Sequence, residues 1–178
     1  MYKTYKHNPP HLFLPGQLYF ITGATYKKTD FLAPDAIKKS FLEQLFFYTH
    51  KFGWELRFWS VLNNHYHAIA QAPRRETCSL SKLIHDLHSF SAKEINAKNR
   101  AKGVRVWWNY WDSCITYERS YFARINYIHW NCVKHGLAES PMEYEFSSYP
   151  LYMERSAGEM KEIETKSPWD KIEVMDDF

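Results

Sequence analysis

Two histidines in this 178-residue chain have the type and spacing to bind a metal ion. His65 and His67 are separated by one residue, Tyr66, in the run 65–72, whose composition predicts a strand. Side chains two positions apart on a strand project from the same face, so the two imidazoles would stand side by side as metal ligands do. Taken alone, the spacing favours a simpler interpretation, in which both are surface histidines with satisfied hydrogen bonds.

A second pair, Tyr127 and Asn131, lies four residues apart in a segment whose pattern predicts a helix from a cap at Thr116 to about Lys134. At about 100° per residue, this helix has an apolar stripe and a separate polar stripe. The polar stripe contains Ser120, Arg124, Tyr127, Asn131 and Lys134. Tyr127 is therefore predicted to point away from the core, as a reactive group or as a half-exposed packing residue.

The elements that would position these groups follow the order β-α-β-β-α-β. Strands are predicted at 17–26, 54–62, 65–72 and 104–115, with helices beginning at Pro34 and after an N-cap at Ser79. The order predicts an α+β fold: a ferredoxin-like (RRM-like) antiparallel sheet with helices on one face, plus the added C-terminal helix that carries Tyr127. This domain is predicted to span residues 1–150, with 1–16 as an irregular arm and 151–178 as an acidic C-terminal tail.

The charge of the chain is divided unevenly along its length. Residues 1–138 carry 19 basic and 9 acidic side chains, whereas residues 139–178 carry 4 basic and 11 acidic ones. A basic body with an acidic end favours a polyanionic partner. The basic residues singled out as phosphate contacts are Lys27, Lys28, Arg74, Arg75, Arg105, Arg124 and Lys134.

Composition excludes several other classes. A hydrophobic content of 45% is too high for a disordered chain, and no apolar run approaches the roughly 20 residues that cross a bilayer. The N-terminus lacks an apolar signal core, and Cys78, Cys114 and Cys132 form no metal-binding pair. The sequence therefore predicts a cytoplasmic protein with no membrane partner.

The two stretches together resemble one known family. The segment 62–67 (LNNHYH) resembles the His-hydrophobic-His motif of Y1 transposases of the IS200/IS605 type. The segment 127–137 (YIHWNCVKHGL) resembles the catalytic-tyrosine helix of the REP-associated tyrosine transposase branch, with Asn131 four residues after the tyrosine. The resemblance runs from about Gln17 to Tyr152. Three residues depart from the pattern of the branch: Asn63 and Cys132, where prolines are usual, and Tyr66, where Val or Ile is common.

This resemblance implies metal-dependent cleavage and rejoining of single-stranded DNA in DNA transposition. Tyr127 would be the nucleophile that forms a 5′-phosphotyrosine, and His65, His67 and Asn131 would hold Mg²⁺ or Mn²⁺. The substrate would be a palindromic, REP-like DNA hairpin in the cytoplasm, at the nucleoid. Paired cleavages would need a homodimer or sequential turnover. The alternative is a catalytically silent protein on the same fold that binds hairpin DNA or RNA.

Overall fold

The computed structural model describes residues 14–75 and 79–167 of the chain. These residues form four strands and four helices. The strands are β1 (Leu18–Thr25), β2 (Glu55–Val61), β3 (His65–Gln71) and β4 (Trp107–Ile115). The helices are α1 (Asp35–Lys51), α2 (Leu80–Lys98), α3 (Glu118–Lys134) and α4 (Tyr149–Lys166), with short 3₁₀ turns at Tyr26–Lys28 and Pro141–Glu143.

The four strands form one sheet in the order β2-β3-β1-β4, and every neighbouring pair is antiparallel. This order confirms the predicted ferredoxin-like sheet. The N-cap predicted at Ser79 is also confirmed, because its side chain accepts a hydrogen bond from the Lys82 amide. The predicted cap at Thr116 is wrong: α3 begins at Glu118, and the preceding Tyr117 makes no side-chain cap bond.

Strand β3 divides its side chains between two packed layers. Tyr66, Ala68 and Ala70 belong to the larger core, which α1 and α2 cover. Ile69 belongs to a second cluster with residues of α3 and α4 on the other face of the sheet. His65 and His67 share this second face because strand side chains alternate. We call the two faces the core face and the site face.

The layer on the site face overturns two expectations. Tyr127 was predicted to point away from the core, yet it is only 5% exposed because α3 lies against the sheet on that side. Residues after 150 were predicted to form a tail, yet 149–166 form helix α4, and Met160 of this helix is buried in the cluster. Where the domain ends stays a prediction, since residues 168–178, like most of the predicted arm, lie outside the described part.

Within the described ranges, no helix combines the length and apolar character that crossing a membrane requires.

Candidate active site

The β2–β3 hairpin and β1 position the two histidines. His65 is the first residue of β3 and pairs with Ala24 of β1, and His67 pairs with Thr22. The strand alternation predicted from the sequence therefore holds, and the two imidazole centroids are 4.9 Å apart. Side-by-side placement follows from the period of the strand.

Asn64 fixes the orientation of the His65 ring. Its amide nitrogen donates to the Lys28 carbonyl at 3.2 Å and to Asp30 Oδ1 at 3.0 Å, so its oxygen must face His65. That oxygen lies 2.7 Å from His65 Nδ1, which must carry the proton and donate it. His65 Nε2 is then left with a lone pair, as metal ligation requires. The sequence identified Asn64 only as a turn residue.

His67 is held in a similar way from β1. Its Nδ1 lies 2.7 Å from Thr22 Oγ1, and its ring stacks on Phe20 with the centroids 5.5 Å apart. Its Nε2 is buried and has no hydrogen-bond partner among the described residues. Sequence reasoning missed Thr22, whose only signal is its position on the same face of the neighbouring strand.

Helix α3 brings the tyrosine and the asparagine of the same chain to these histidines. The rings of Tyr127 and His67 are 5.0 Å apart, and the Tyr127 hydroxyl is buried without a hydrogen-bond partner in the described residues. Asn131 Oδ1 lies 3.3 Å from His65 Nε2. All four residues predicted as the site's chemical groups are therefore adjacent within the fold of the chain.

Contacts on two successive turns fix α3 over the sheet. His129 Nε2 lies 2.9 Å from Ser148 Oγ, and that oxygen accepts a hydrogen bond from the Trp59 amide of β2 at 3.1 Å. On the preceding turn, the Asn126 amide donates to the Ile163 carbonyl near the end of α4 at 3.0 Å. These contacts hold Tyr127 from both sides, and sequence reasoning assigned no role to His129 or Asn126.

Both candidate ligand histidines are neutral at pH 7. Burial, reinforced by the neighbouring His135 and opposed by a hydrogen bond to Asn131, lowers the pKa of His65 to about 4. Burial and then the charge of His65 hold the pKa of His67 well below its usual value. Only neutral imidazole has the lone pair that binds a metal, so the site needs no deprotonation to accept one.

The donor set fits a divalent cation. His65 Nε2 and Asn131 Oδ1 lie 3.3 Å apart, and His67 Nε2 has a free lone pair on the same face of β3, so these three atoms are the ones that would hold a cation. Imidazole suits Mn²⁺ or other transition ions better than Mg²⁺, while the amide oxygen suits both. Across the described ranges, no group of three or more His, Cys, Asp or Glu residues is placed to hold a metal, so the Asn131 amide oxygen is the candidate third protein ligand.

The predicted basic contacts do not form one surface. Lys27 and Lys28 follow β1 at the end of the sheet where His65 lies, whereas Arg74 and Arg75 follow β3 at the opposite end of the sheet. Two others lie on α3 beside the site: the Arg124 guanidinium stacks over Phe20 with Cζ 5.5 Å from the ring centroid, and Lys134 Nζ lies 5.1 Å from that of Tyr127. Arg105 packs against the half-buried ring of Tyr26 and the exposed ring of Trp108, next to Lys27.

Two of the three departures from the family pattern, Tyr66 and Cys132, are accommodated away from the chemistry. The ring of Tyr66 points to the core face, and a Cβ added to Gly23 of β1 would lie 2.3 Å from it. A glycine opposite the histidine motif is thus what allows a tyrosine between the histidines. Cys132 is fully buried in the core, and its thiol donates to the His129 carbonyl at 3.3 Å.

Comparison with known proteins agrees with this geometry. The sequence model of the family described as "Transposase IS200 like" matches residues 17–129, a span that includes β1 and both histidines. The chain belongs to the IS200-like transposase family. Tyr127 falls within the matched span, whereas Asn131 lies just beyond it. No curated protein sequence matches the chain significantly.

One solved structure shows the same fold as this IS200-like transposase, and a second aligns with a lower score. A REP-associated tyrosine transposase bound to a REP hairpin aligns with a TM-score of 0.69 and 19% identity, over 83% of this chain and 86% of the other. A protein from Deinococcus radiodurans R1, described as a candidate transposase, aligns with a TM-score of 0.48 and 16% identity, over 64% of this chain and 89% of the other. The first match supports the ferredoxin-like architecture with its added helices.

Proposed function

We propose that this transposase cleaves and rejoins single-stranded DNA through a covalent link to Tyr127, with a divalent cation held by His65, His67 and Asn131. One observation carries the proposal. Tyr127 and His67 lie ring to ring, and each has a buried polar atom, the hydroxyl and Nε2, without a hydrogen-bond partner in the described residues. Buried polar atoms are normally paired, so an unpaired atom on each of two adjacent rings supports a ligand site there.

The step needs a nucleophile and neutralisation of the phosphate charge. The Tyr127 oxygen attacks phosphorus, the new Tyr O–P bond forms, the P–O3′ bond breaks, and the leaving 3′ oxygen takes a proton. The number of phosphodiester bonds does not change, so a DNA 3′-OH can later reverse the step without ATP. The bound cation would supply Lewis-acid stabilisation of the phosphate oxygens. Lys134 and Arg124 flank the tyrosine and would add positive charge.

The substrate we propose is a DNA hairpin with unpaired nucleotides beside the stem. The support is the REP hairpin to which the structurally similar transposase is bound, together with the basic balance of residues 1–138. Because a single chain carries both the histidines and the tyrosine, the monomer would be competent for one cleavage. A homodimer would then serve only to pair cleavages, and the oligomeric state stays a prediction.

The silent-binder alternative gains no support from the residue that suggested it. Cys132 stands where the branch usually has proline, but its thiol faces the core and donates to a backbone carbonyl. Burial raises the pKa of this thiol to about 11, so it stays neutral at pH 7. The substitution therefore leaves the face of α3 that carries Tyr127 and Asn131 unchanged.

A covalent-capture experiment tests the proposal. Because the link is to the 5′ phosphate, a hairpin labelled at its 3′ end should form a labelled protein band with Mn²⁺, whereas a 5′ label should be released in the fragment with the free 3′-OH. Tyr127→Phe should abolish the band, and EDTA should prevent it.

Tyr121→Phe is the matched control, since Tyr121 lies on the same helix, outside the histidine site. It should keep the band. A labelled band that survives in Tyr127→Phe would refute the assignment of the nucleophile. Tight hairpin binding with no band from any DNA tested would favour the silent-binder alternative.

A further inference from the structure

We infer that Tyr26, Arg105 and Trp108 form a platform that stacks an unpaired DNA base next to the catalytic site. The Arg105 guanidinium lies over both rings, with Cζ 4.9 Å from the Tyr26 centroid and 4.6 Å from that of Trp108. The two ring centroids are 5.6 Å apart. We call these three residues the stacking platform. The inference rests on the proposed action on single-stranded DNA.

Arg105 and Trp108 of the platform are exposed and Tyr26 is half-buried, although aromatic rings of this kind usually fill cores. Trp108 is 45% exposed, whereas the neighbouring Trp107 is 7% exposed and packs in the core. The core therefore takes one tryptophan of the pair and leaves the other at the surface. An exposed aromatic ring stacked with a guanidinium suits a nucleobase, since every base has a flat π face and the cation favours an anionic strand.

The platform is held ready for a ligand. Arg105 Nε donates to the Trp107 carbonyl at 3.1 Å and Nη2 to the Trp108 carbonyl at 3.3 Å, which fixes the guanidinium against the rings. The Tyr26 amide donates to the Val106 carbonyl at 2.7 Å, which joins the ends of β1 and β4. Because these residues are already fixed in place, binding a base here would cost little conformational entropy of the protein.

Hydrogen bonds connect the platform to the histidine motif. Asn64, which orients His65, donates to the carbonyl of Lys28, two residues after Tyr26. The Thr25 amide donates to the Asn64 carbonyl at 2.8 Å. Lys27 and Lys28 lie between the platform and His65 along this path, and both are exposed. A strand with one base on the platform would therefore pass its next phosphates over two lysines toward the site.

The charge and the continuity with the site select single-stranded DNA as the occupant. A duplex stem keeps its bases paired and stacked, so it would contact the lysines without using the rings. Two parts of one substrate thus differ in their need for the platform: the stem does not need Trp108, and an unpaired extension does.

Equilibrium binding in EDTA tests this, because no cleavage intervenes. The probes are a blunt DNA hairpin and the same hairpin with a short single-stranded extension on either side. Trp108→Ala should weaken binding of one extended hairpin by about 5- to 100-fold, in line with the stacking energy of one base, and leave the blunt hairpin within about twofold. Trp108→Phe should retain most of the affinity.

Phe47→Ala is the matched control. Phe47 is an exposed aromatic residue with Lys51 over its ring, but it lies on α1, across the sheet from the site. It should bind both DNAs like the wild type. Equal weakening of blunt and extended hairpins by Trp108→Ala, or equal effects of the two alanine variants, would overturn the inference.

An abasic scan of the extension locates the stacked base. One abasic position should weaken the wild type and have no further effect in Trp108→Ala, whereas additive losses at every position would argue against a platform. The outcome is separable from that of the capture experiment. Covalent capture with no effect of Trp108→Ala would overturn this inference alone, and an extension-specific loss without capture would overturn only the catalytic proposal.

Discussion

The two faces of the sheet contain the same kinds of side chain in different bonding states. On the core face, the Tyr66 hydroxyl lies 3.1 Å from His88 Nε2, and the His88 ring stacks on Trp107 with the centroids 4.2 Å apart. On the site face, Tyr127 and His67 meet in a similar edge contact, yet neither the hydroxyl nor Nε2 has a partner in the described residues. Tyrosine–histidine pairs thus occur in both layers, and only one is complete within the protein.

This difference indicates where the protein loses folding stability to keep polar atoms available for a ligand. A buried polar atom without a partner destabilises a fold by about 1–3 kcal/mol, so the site face is less stable than its packing implies. Burial lowers the pKa of His88 to about 3 as it does for the site histidines, so low pKa alone does not distinguish the two faces. What distinguishes the two pairs is that Tyr66 and His88 are hydrogen-bonded to each other, whereas the Tyr127 hydroxyl and His67 Nε2 have no partner in the described residues.

The largest loss of stability is expected on the core face, where Gly23 of β1 packs against Tyr66 of β3. Gly23→Ala would place a Cβ 2.3 Å from the Tyr66 ring, and that ring is fully buried, so a strand must shift. We expect a loss of about 3 kcal/mol in the free energy of unfolding, measured by urea denaturation. In Gly158→Ala, the added methyl meets nothing within 4 Å in α4, and this control should gain up to about 1 kcal/mol. Similar values for the two variants would show that Tyr66 is not held against Gly23.

The next largest effect is the stabilisation by Mn²⁺, which should differ between variants of His67 and His88. Mn²⁺ at about 100 times its dissociation constant should raise the free energy of unfolding by about 2.7 kcal/mol, because it binds only the folded site. His67→Gln should remove this gain. His88→Gln should keep it, even if the variant is less stable, because His88 Nε2 is already engaged by Tyr66. Thermal melting with Mn²⁺ or EDTA measures both, and equal gains in the two variants would place the cation elsewhere.

The sequence predicted which of these side chains lie together better than it predicted what surrounds them. Strand periodicity is local, so two histidines two positions apart had to share a face. Helical periodicity likewise placed Tyr127 and Asn131, four positions apart, on one face of α3. Whether the polar stripe of α3 faced water depended on what packs against it. A helix shows one periodic pattern whether its second stripe meets solvent or a sheet, so the burial of Tyr127 was not predicted.

The supporting contacts were beyond the sequence for a related reason. Thr22 and Ser148 lie 45 and 19 residues from the histidines they orient, His67 and His129, and a lone threonine or serine carries no periodic signal. Helix α4 was missed because its segment is rich in charge and weak in apolar pattern. Only the assembled sheet shows that these residues restrain α3.

The smallest effect tests that restraint with two buried serines. Ser148→Ala would leave the Trp59 amide and His129 Nε2 without their bonds to the hydroxyl, and we expect a loss of about 2 kcal/mol in the free energy of unfolding. Ser60 is equally buried, but its hydroxyl has no partner in the described residues, so Ser60→Ala removes an unsatisfied group and should leave the free energy of unfolding unchanged or raise it by up to about 3 kcal/mol. Urea denaturation of both variants measures the difference. If the two substitutions change the free energy of unfolding equally, the hydroxyl of Ser148 does not hold α3 over the histidines, and packing alone must do so.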